Sequence, residues 1–260
     1  MNFQLPYLPE RSEKPRESGL TMVMDKGLSL RQVEDLIESS GHLIDLVKLG
    51  FGTSYVTPNL KEKITLYHQN NIRCYLGGTL FEAFIVRGMF DDYRKLLDDY
   101  GLSTAEVSDG AIALPMEDKC NYIRQLAEQV TVLSEVGSKM EDTVFTPSEW
   151  VKMMNTELEA GSWKVIAEAR ESGKLGIYDS AGQANTGLIQ TIMSEVPTDK
   201  VLWEAPVKPQ QVWFINLLGS SVNLGNIAPH DVIPLETLRL GLRGDTFFSF
   251  LPEALAQMKP

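Results

Sequence analysis

The chain contains 260 residues, 43% of them hydrophobic, which is enough apolar content for a folded core and excludes a disordered or fibrous protein. The formal net charge is −11 at pH 7, and because phosphate binding needs a basic surface, a nucleic-acid partner is not expected. An anionic ligand would therefore have to be held by local cations.

Strand-like and helix-like segments alternate eight times along the chain. Helices are expected to begin after Ser29, after Thr146 and at Pro209, since these residue types start helices. Four helices are expected to end on a left-handed glycine, at Gly41, Gly101, Gly161 and Gly219. The candidate strands are residues 19–24, 43–49, 72–76, 104–107, 130–135, 164–169, 200–205 and 221–226.

Strict alternation of strand and helix implies parallel strands joined by right-handed crossovers. Eight units of about 30 residues fill the chain, which favours a closed barrel over an open doubly wound sheet. The sequence therefore predicts one α/β domain over residues 1–260, a single (β/α)8 TIM barrel. Residues 1–18 are expected to form an N-terminal extension and residues 247–260 a C-terminal one.

Hydropathy and cysteine content indicate the compartment. No apolar stretch approaches the roughly 20 residues that span a bilayer, and the N-terminus lacks the apolar core of a signal peptide, so no membrane partner is expected. The two cysteines, Cys74 and Cys120, lack metal-ligand spacing and are expected to be reduced. These features predict a cytoplasmic protein.

Three apolar runs each end on a glutamate, at Glu135, Glu168 and Glu204, with similar separations along the chain. The carboxyl ends of barrel strands meet at the mouth where such folds keep their chemistry, so the three carboxylates are expected to converge. Carboxylates favour an oxygen-loving divalent metal. The alternative is that three solvated glutamates happen to end strands.

Other polar residues follow the same strand ends. Lys48, Arg170 and Lys208 could bind a phosphate or carboxylate, although Lys48 could equally serve only to neutralise carboxylates. The glycine-rich segments 50–54 and 77–79 could offer N–H groups, with the hydroxyls of Ser54 and Thr79, or could simply turn the chain. Asn223 is expected at the end of the last strand. No histidine belongs to this set, so a zinc site or a histidine triad is not expected.

Several motifs resemble those of the phosphosulfolactate synthase family. They include EVGSK at 135–139, ARESG at 169–173, EAP at 204–206, GSSVNL at 219–224 and LRLGLRGDT at 238–246. The earlier segments DKG at 25–27, VKLGFGTS at 47–54 and GGT at 77–79 are similar as well. The resemblance runs from about Gly19 to Phe247, nearly the whole chain.

The resemblance implies a barrel lyase that adds sulfite to phosphoenolpyruvate, giving (2R)-phospho-3-sulfolactate with Mg²⁺ as cofactor. In methanogens this reaction opens coenzyme M synthesis, and in some other bacteria it leads to sulfolactate. Family members form homo-oligomers. Two alternatives stay open: a Mg²⁺-dependent aldolase or enolase-like lyase acting on another phosphorylated carboxylate, and a non-catalytic barrel like the heat-stress-associated relatives.

The resemblance and the reaction chemistry together suggest roles. The family motif carries two successive lysines, and this chain departs from it with Ser138 in place of the first while Lys139 remains. Lys139 is the expected general acid at C2 of the substrate, because neighbouring cations could depress the pKa of its ammonium toward neutrality. Glu135, Glu168 and Glu204 are the expected Mg²⁺ ligands. The expected substrate-binding residues are Lys48, Arg170, Lys208, Ser54, Thr79 and Asn223.

Overall fold

The computed structural model describes residues 3–137 and 145–258, and these form the predicted (β/α)8 barrel. Its eight parallel strands lie in the order β3-β2-β1-β8-β7-β6-β5-β4, and β4 packs beside β3, so the sheet nearly closes on itself. The strands are β1 Thr21–Asp25, β2 Leu46–Leu49, β3 Arg73–Leu76, β4 Thr104–Val107, β5 Thr131–Val136, β6 Lys164–Ala167, β7 Val201–Glu204 and β8 Leu224–Ile227. All eight predicted strands are confirmed.

Helices cover the outside of the barrel. They are α1 Leu30–Ser40, α2 Leu60–Gln69, α3 Gly78–Ile85, α4 Phe90–Asp99, α5 Met116–Ala127, α6 Pro147–Glu159, α7 Thr186–Glu195, α8 Lys208–Leu218, α9 Val232–Arg239 and α10 Glu253–Ala256. The Ser29 and Thr146 side chains cap α1 and α6 as predicted, and Pro209 lies in the first turn of α8. In the part of the chain described, none of these helices could cross a bilayer.

Three of the four helix-ending glycines have the expected positive φ, at 64° for Gly101, 118° for Gly161 and 85° for Gly219. The prediction for Gly41 was wrong, since its φ is −57°. The chain there continues from α1 directly into a 3-10 turn, Gly41–Leu43, which needs a right-handed residue.

The alternation of strand side chains divides the core into two layers. Residues that point outward pack under the helices, whereas Met22, Leu46, Leu133, Ile166 and Leu202 fill the barrel lumen. Two positions further along each strand, the next lumen-facing side chain reaches the mouth. The apolar layer therefore forms a floor beneath whatever stands at the carboxyl ends.

The opposite end of the barrel is closed by the segment that precedes β1. Arg11 forms an ion pair with Glu236 at 2.9 Å, and Arg16 forms one with Asp45 at 3.1 Å. The wholly buried Arg239 donates hydrogen bonds to backbone carbonyls, including that of Leu20 at 3.1 Å. These contacts hold the amino-terminal segment over this end of the barrel, whereas the carboxyl ends of the strands border an open cavity.

Candidate active site

A cavity of about 400 Å³ opens at the carboxyl ends of the strands. Its wall contains six of the residues that the sequence predicts for the site: Lys48, Thr79, Glu135, Glu168, Arg170 and Glu204. The three glutamates are buried, at 3%, 3% and 2% exposure. The prediction that they converge is confirmed, because each follows a lumen-filling residue by two positions, Glu135 and Glu204 within their strands and Glu168 directly after β6.

The Lys48 ammonium lies among buried carboxylates in the floor of this cavity. Its Nζ is 2.9 Å from Glu106 Oε1, 2.9 Å from Glu135 Oε2 and 3.7 Å from Glu204 Oε1. We call Lys48 with these three glutamates the Lys48 cluster. Its ion pairs support the alternative that Lys48 neutralises carboxylates. Because one ammonium lies among three glutamates, acidic groups outnumber basic ones in the cluster.

Burial and mutual repulsion set the protonation of the Lys48 cluster. Burial alone would lower the pKa of Lys48, but the three carboxylates outweigh it and raise that pKa well above its ordinary value. Burial raises the pKa of Glu106 and brings that of Glu204 to about 7, with the Lys48 charge opposing both shifts. Glu204 therefore carries a proton part of the time at neutral pH.

This shift predicts a pH-dependent stability. Because the pKa of Glu204 rises from 4.5 to about 7 on folding, the folded state binds the proton more tightly, and stability falls as pH rises between those values. Glu204→Gln should remove the contribution of Glu204 to this pH dependence. Between pH 5 and pH 8, urea unfolding should show wild type losing about 2 to 3 kcal/mol relative to the variant. Parallel pH profiles for the two proteins would contradict the assignment.

In the free protein, the backbone of residues 77–79 donates a hydrogen bond to a carboxylate of the chain itself. The Gly78 N–H donates to Glu106 Oε1 at 2.6 Å, and a Cβ on Gly78 would lie 2.9 Å from that oxygen and closer still to Ser108 Oγ. Glycine is thus required by close packing here, and Gly78 begins α3. Of the predicted phosphate-binding groups in this segment, the Thr79 side chain is exposed and borders the cavity.

Glu106 is the residue of the Lys48 cluster to which the sequence assigns no role. It lies inside β4 rather than at the end of an apolar run, and its side chain is completely buried. A signal existed, since a glutamate within a strand that is buried on both faces requires a cationic partner. Neither that partner nor its distance could be read from the sequence.

The remaining predicted site residues lie in different places. Arg170 is half-buried in the cavity wall, whereas Lys208 pairs at the surface with Asp245 at 2.7 Å and is not part of the lining. Ser54 is buried outside the lining, and its hydroxyl has no hydrogen-bond partner among the residues described. The predicted general acid, Lys139, lies outside the described residues.

The prediction for Asn223 was wrong about its end of the barrel. β8 begins at Leu224, so Asn223 precedes the strand instead of ending it. Its amide donates to the carbonyls of Asp199 and Val201 at 3.0 and 3.1 Å, and its Oδ1 accepts from the Leu20 N–H at 3.1 Å. Asn223 therefore ties together the closed end, away from the cavity.

The carboxylates of the mouth do not form a ready metal site. Within residues 3–137 and 145–258, no group of three or more His, Cys, Asp or Glu side chains could hold a metal ion. The Lys48 ammonium already lies among Glu106, Glu135 and Glu204. The predicted set of Glu135, Glu168 and Glu204 therefore does not fit Mg²⁺ as a set of three ligands.

A parallel barrel with a buried, charged cluster at its open mouth defines the class of this protein as a (β/α)8 barrel enzyme. A fold match supports the architecture: 3-hexulose-6-phosphate synthase from Salmonella typhimurium superimposes with a TM-score of 0.54 at 13% identity, covering 86% of this chain and 100% of that one. At that identity the likeness concerns the fold alone.

Sequence comparisons give the family. The profile of the family described as (2R)-phospho-3-sulfolactate synthase (ComA) matches residues 9–245. A phosphosulfolactate synthase of Methanocaldococcus jannaschii is 44% identical over 89% of this chain and 94% of its own length. One from Methanothermobacter thermautotrophicus is 40% identical over 92% and 95%. The chain belongs to the phosphosulfolactate synthase family and is a lyase.

Proposed function

We propose that this protein adds sulfite to phosphoenolpyruvate to give (2R)-phospho-3-sulfolactate. The observation that carries the proposal is the extent of the family match, because residues 9–245 include all eight strands and every residue of the cavity wall. The cavity of about 400 Å³ is of a size that suits a three-carbon phosphoester.

The reaction brings two anions together. Sulfur attacks C3 of phosphoenolpyruvate, a C–S bond forms, the C2–C3 π bond breaks, and its electron pair moves toward the substrate carboxylate until C2 takes up a proton. Fixed cations must offset the repulsion between the reactants. Arg170 is proposed for a forked contact with one anionic group, because its guanidinium is always charged and presents paired donors.

Lys48 is proposed as the second cation that meets substrate. It borders the cavity and lies in the Lys48 cluster at the same time, so it can approach an anion only by loosening its ion pairs. Thr79 is proposed to contribute its hydroxyl at the rim. Lys208 and Ser54 would act only if substrate or a neighbouring loop brings them to the cavity.

We propose Lys139 as the general acid that protonates C2. Glu135 lines the cavity and Gly137 ends the described part of this segment, so Lys139 follows in sequence from a strand that reaches the mouth. Neighbouring cations would depress the pKa of an ammonium toward neutrality and let it give up a proton.

Mg²⁺ dependence is also proposed. Mg²⁺ commonly binds through one or two carboxylates together with substrate oxygens and water, an arrangement that needs no ready group of three protein ligands. Glu168 and Glu204, both in the cavity wall, would be its protein ligands, and a bound cation would stabilise negative charge on the substrate carboxylate.

The setting of the reaction is proposed as the cytoplasm, consistent with Cys74 and Cys120 being free thiols. A homo-oligomer is proposed as well. Tyr55 and Val56, in the loop after β2, are 87% and 76% exposed and offer apolar surface for a subunit contact, which light scattering can test. The product could serve coenzyme M or sulfolactate formation.

Turnover tests the proposal directly. Purified protein with phosphoenolpyruvate, sulfite and Mg²⁺ should consume the enol absorbance and form phosphosulfolactate, identified by mass spectrometry. Omitting sulfite, or adding a chelator, should each stop the reaction. Consumption of phosphoenolpyruvate without sulfite would indicate a different lyase, and no consumption under any condition would reject the proposed function.

A further inference from the structure

Tyr75 lies directly beside Lys48 in the barrel lumen. The two residues are partners in the register between β2 and β3, so their side chains leave neighbouring strands on the same face. Tyr75 is completely buried and packs in the lumen floor with Leu46 and Leu133. Glu106 lies on β4, which packs on the other side of β3, and its Oε1 is 2.9 Å from Lys48 Nζ, so the two partners of this ion pair come from the strands that flank Tyr75.

The hydroxyl of Tyr75 is a buried donor without an acceptor in the described part of the chain. Across that same face, Glu106 Oε2 is a buried acceptor without a donor among these residues, while Oε1 takes the Lys48 and Gly78 contacts. Burial raises the pKa of Tyr75, and Glu106 is the charge that adds most to that shift. Unsatisfied buried polar groups cost stability and are rare unless they serve a purpose.

A purpose for the unpaired Tyr75 hydroxyl follows from the free-energy cost of moving Lys48 away from its carboxylates. An anion in the cavity attracts the Lys48 ammonium, but each step away from the cluster leaves a buried carboxylate less neutralised, which is expensive. A donor that can turn to Glu106 at that moment lowers the cost. The phenol hydroxyl of Tyr75 is a candidate for this donor, because it has no acceptor in the described part of the chain.

We propose that Tyr75 is a positioning residue whose hydroxyl donates to Glu106 when Lys48 turns from its carboxylates to the substrate anion. The inference rests on the proposed function, since it takes phosphoenolpyruvate as that anion. It assigns to Tyr75 an effect on substrate binding that acts through Lys48 and Glu106 rather than through contact with substrate.

Tyr75→Phe tests the proposal, because it removes one oxygen and keeps the ring. Tyr93→Phe is the matched control: Tyr93 is also fully buried, its hydroxyl also lacks a partner among the described residues, and burial and the Glu106 charge also raise its pKa, but it lies on α4 against Phe81 in the outer layer and not beside Lys48. Calorimetry with phosphoenolpyruvate and Mg²⁺ should show binding roughly tenfold weaker in Tyr75→Phe, the usual effect of losing a hydrogen bond to a charged group, and unchanged in Tyr93→Phe.

Thermal unfolding without ligand gives a second readout. Both phenylalanine variants should unfold at or above the wild-type temperature, since each loses a buried hydroxyl that has no acceptor. Wild-type affinity in Tyr75→Phe, equal loss in both variants, no binding by wild type, or a lower unfolding temperature in Tyr75→Phe would overturn the inference. Weaker binding in Tyr75→Phe together with no sulfite addition by wild type would instead reject the proposed function and leave the inference standing.

Discussion

Replacing Lys139 with alanine is expected to lower turnover by roughly 10²-fold or more, the usual scale for loss of a general acid. In the proposed reaction, attack of sulfite at C3 would create a carbanion-like C2 that must be protonated before product can leave. Without an acid beside C2, the adduct would revert to reactants faster than water protonates it. The measurement is steady-state kcat with phosphoenolpyruvate, sulfite and Mg²⁺ at saturation.

Two further lysine variants distinguish a general-acid role of Lys139 from a role of its positive charge in anion binding. Lys139→Arg keeps the positive charge but holds its proton too tightly to donate, so it should be nearly as slow as Lys139→Ala if Lys139 is the acid. Recovery of turnover in Lys139→Arg would instead assign Lys139 to anion binding. Lys152→Ala, which removes an exposed lysine of α6, controls for the change in net charge and should leave kcat unaltered. Near-normal turnover of Lys139→Ala would reject both roles.

The barrel could be predicted from the sequence because its local signals agree with one another. Continuously apolar runs, helix caps at Ser29 and Thr146, and positive-φ glycines such as Gly101 all indicate alternating strands and helices. The error at the last strand has a local cause. Val222 is apolar and resembles the start of a strand, but the chain pairs with β1 only from Leu224 onward. The predicted strand therefore begins too early in the sequence, which puts Asn223 at its carboxyl end instead of before its first residue.

The candidate site could be predicted only as far as strand register determines it. A period of two places Glu135, Glu168 and Glu204 at one mouth, and this needs no knowledge of side-chain contacts. Which cation meets which carboxylate depends on distances across the lumen between strands far apart in sequence. Lys48 and Glu135, for example, approach to 2.9 Å although 87 positions separate them. Lys208 follows a strand end as predicted but turns outward to Asp245.

Lys48→Met is expected to be the most destabilising single change in the mouth. The variant keeps a side chain of similar length but leaves Glu106, Glu135 and Glu204 without the ammonium that neutralises them. Removing one partner of a buried ion pair typically costs about 3 to 5 kcal/mol. Urea unfolding at pH 8 measures the loss. Lys208→Met is the matched control: its pair with Asp245 is exposed, so its loss should stay below about 1 kcal/mol.

The destabilisation by Lys48→Met should also shrink as pH falls from 8 to 5. The Lys48 charge is what holds down the pKa values of Glu106 and Glu204 against burial, so without it both rise further above their unfolded values. A buried acid with a raised pKa disfavours folding only above its unfolded pKa, and increasingly so up to its folded pKa; at lower pH the carboxyls take up protons and become neutral. Lys208→Met should show no such trend. A pH-independent loss in Lys48→Met would mean that Lys48 stabilises the barrel by packing alone. Lys48 would then not neutralise the buried carboxylates, and the proposal that it leaves them to bind the substrate anion would have no basis.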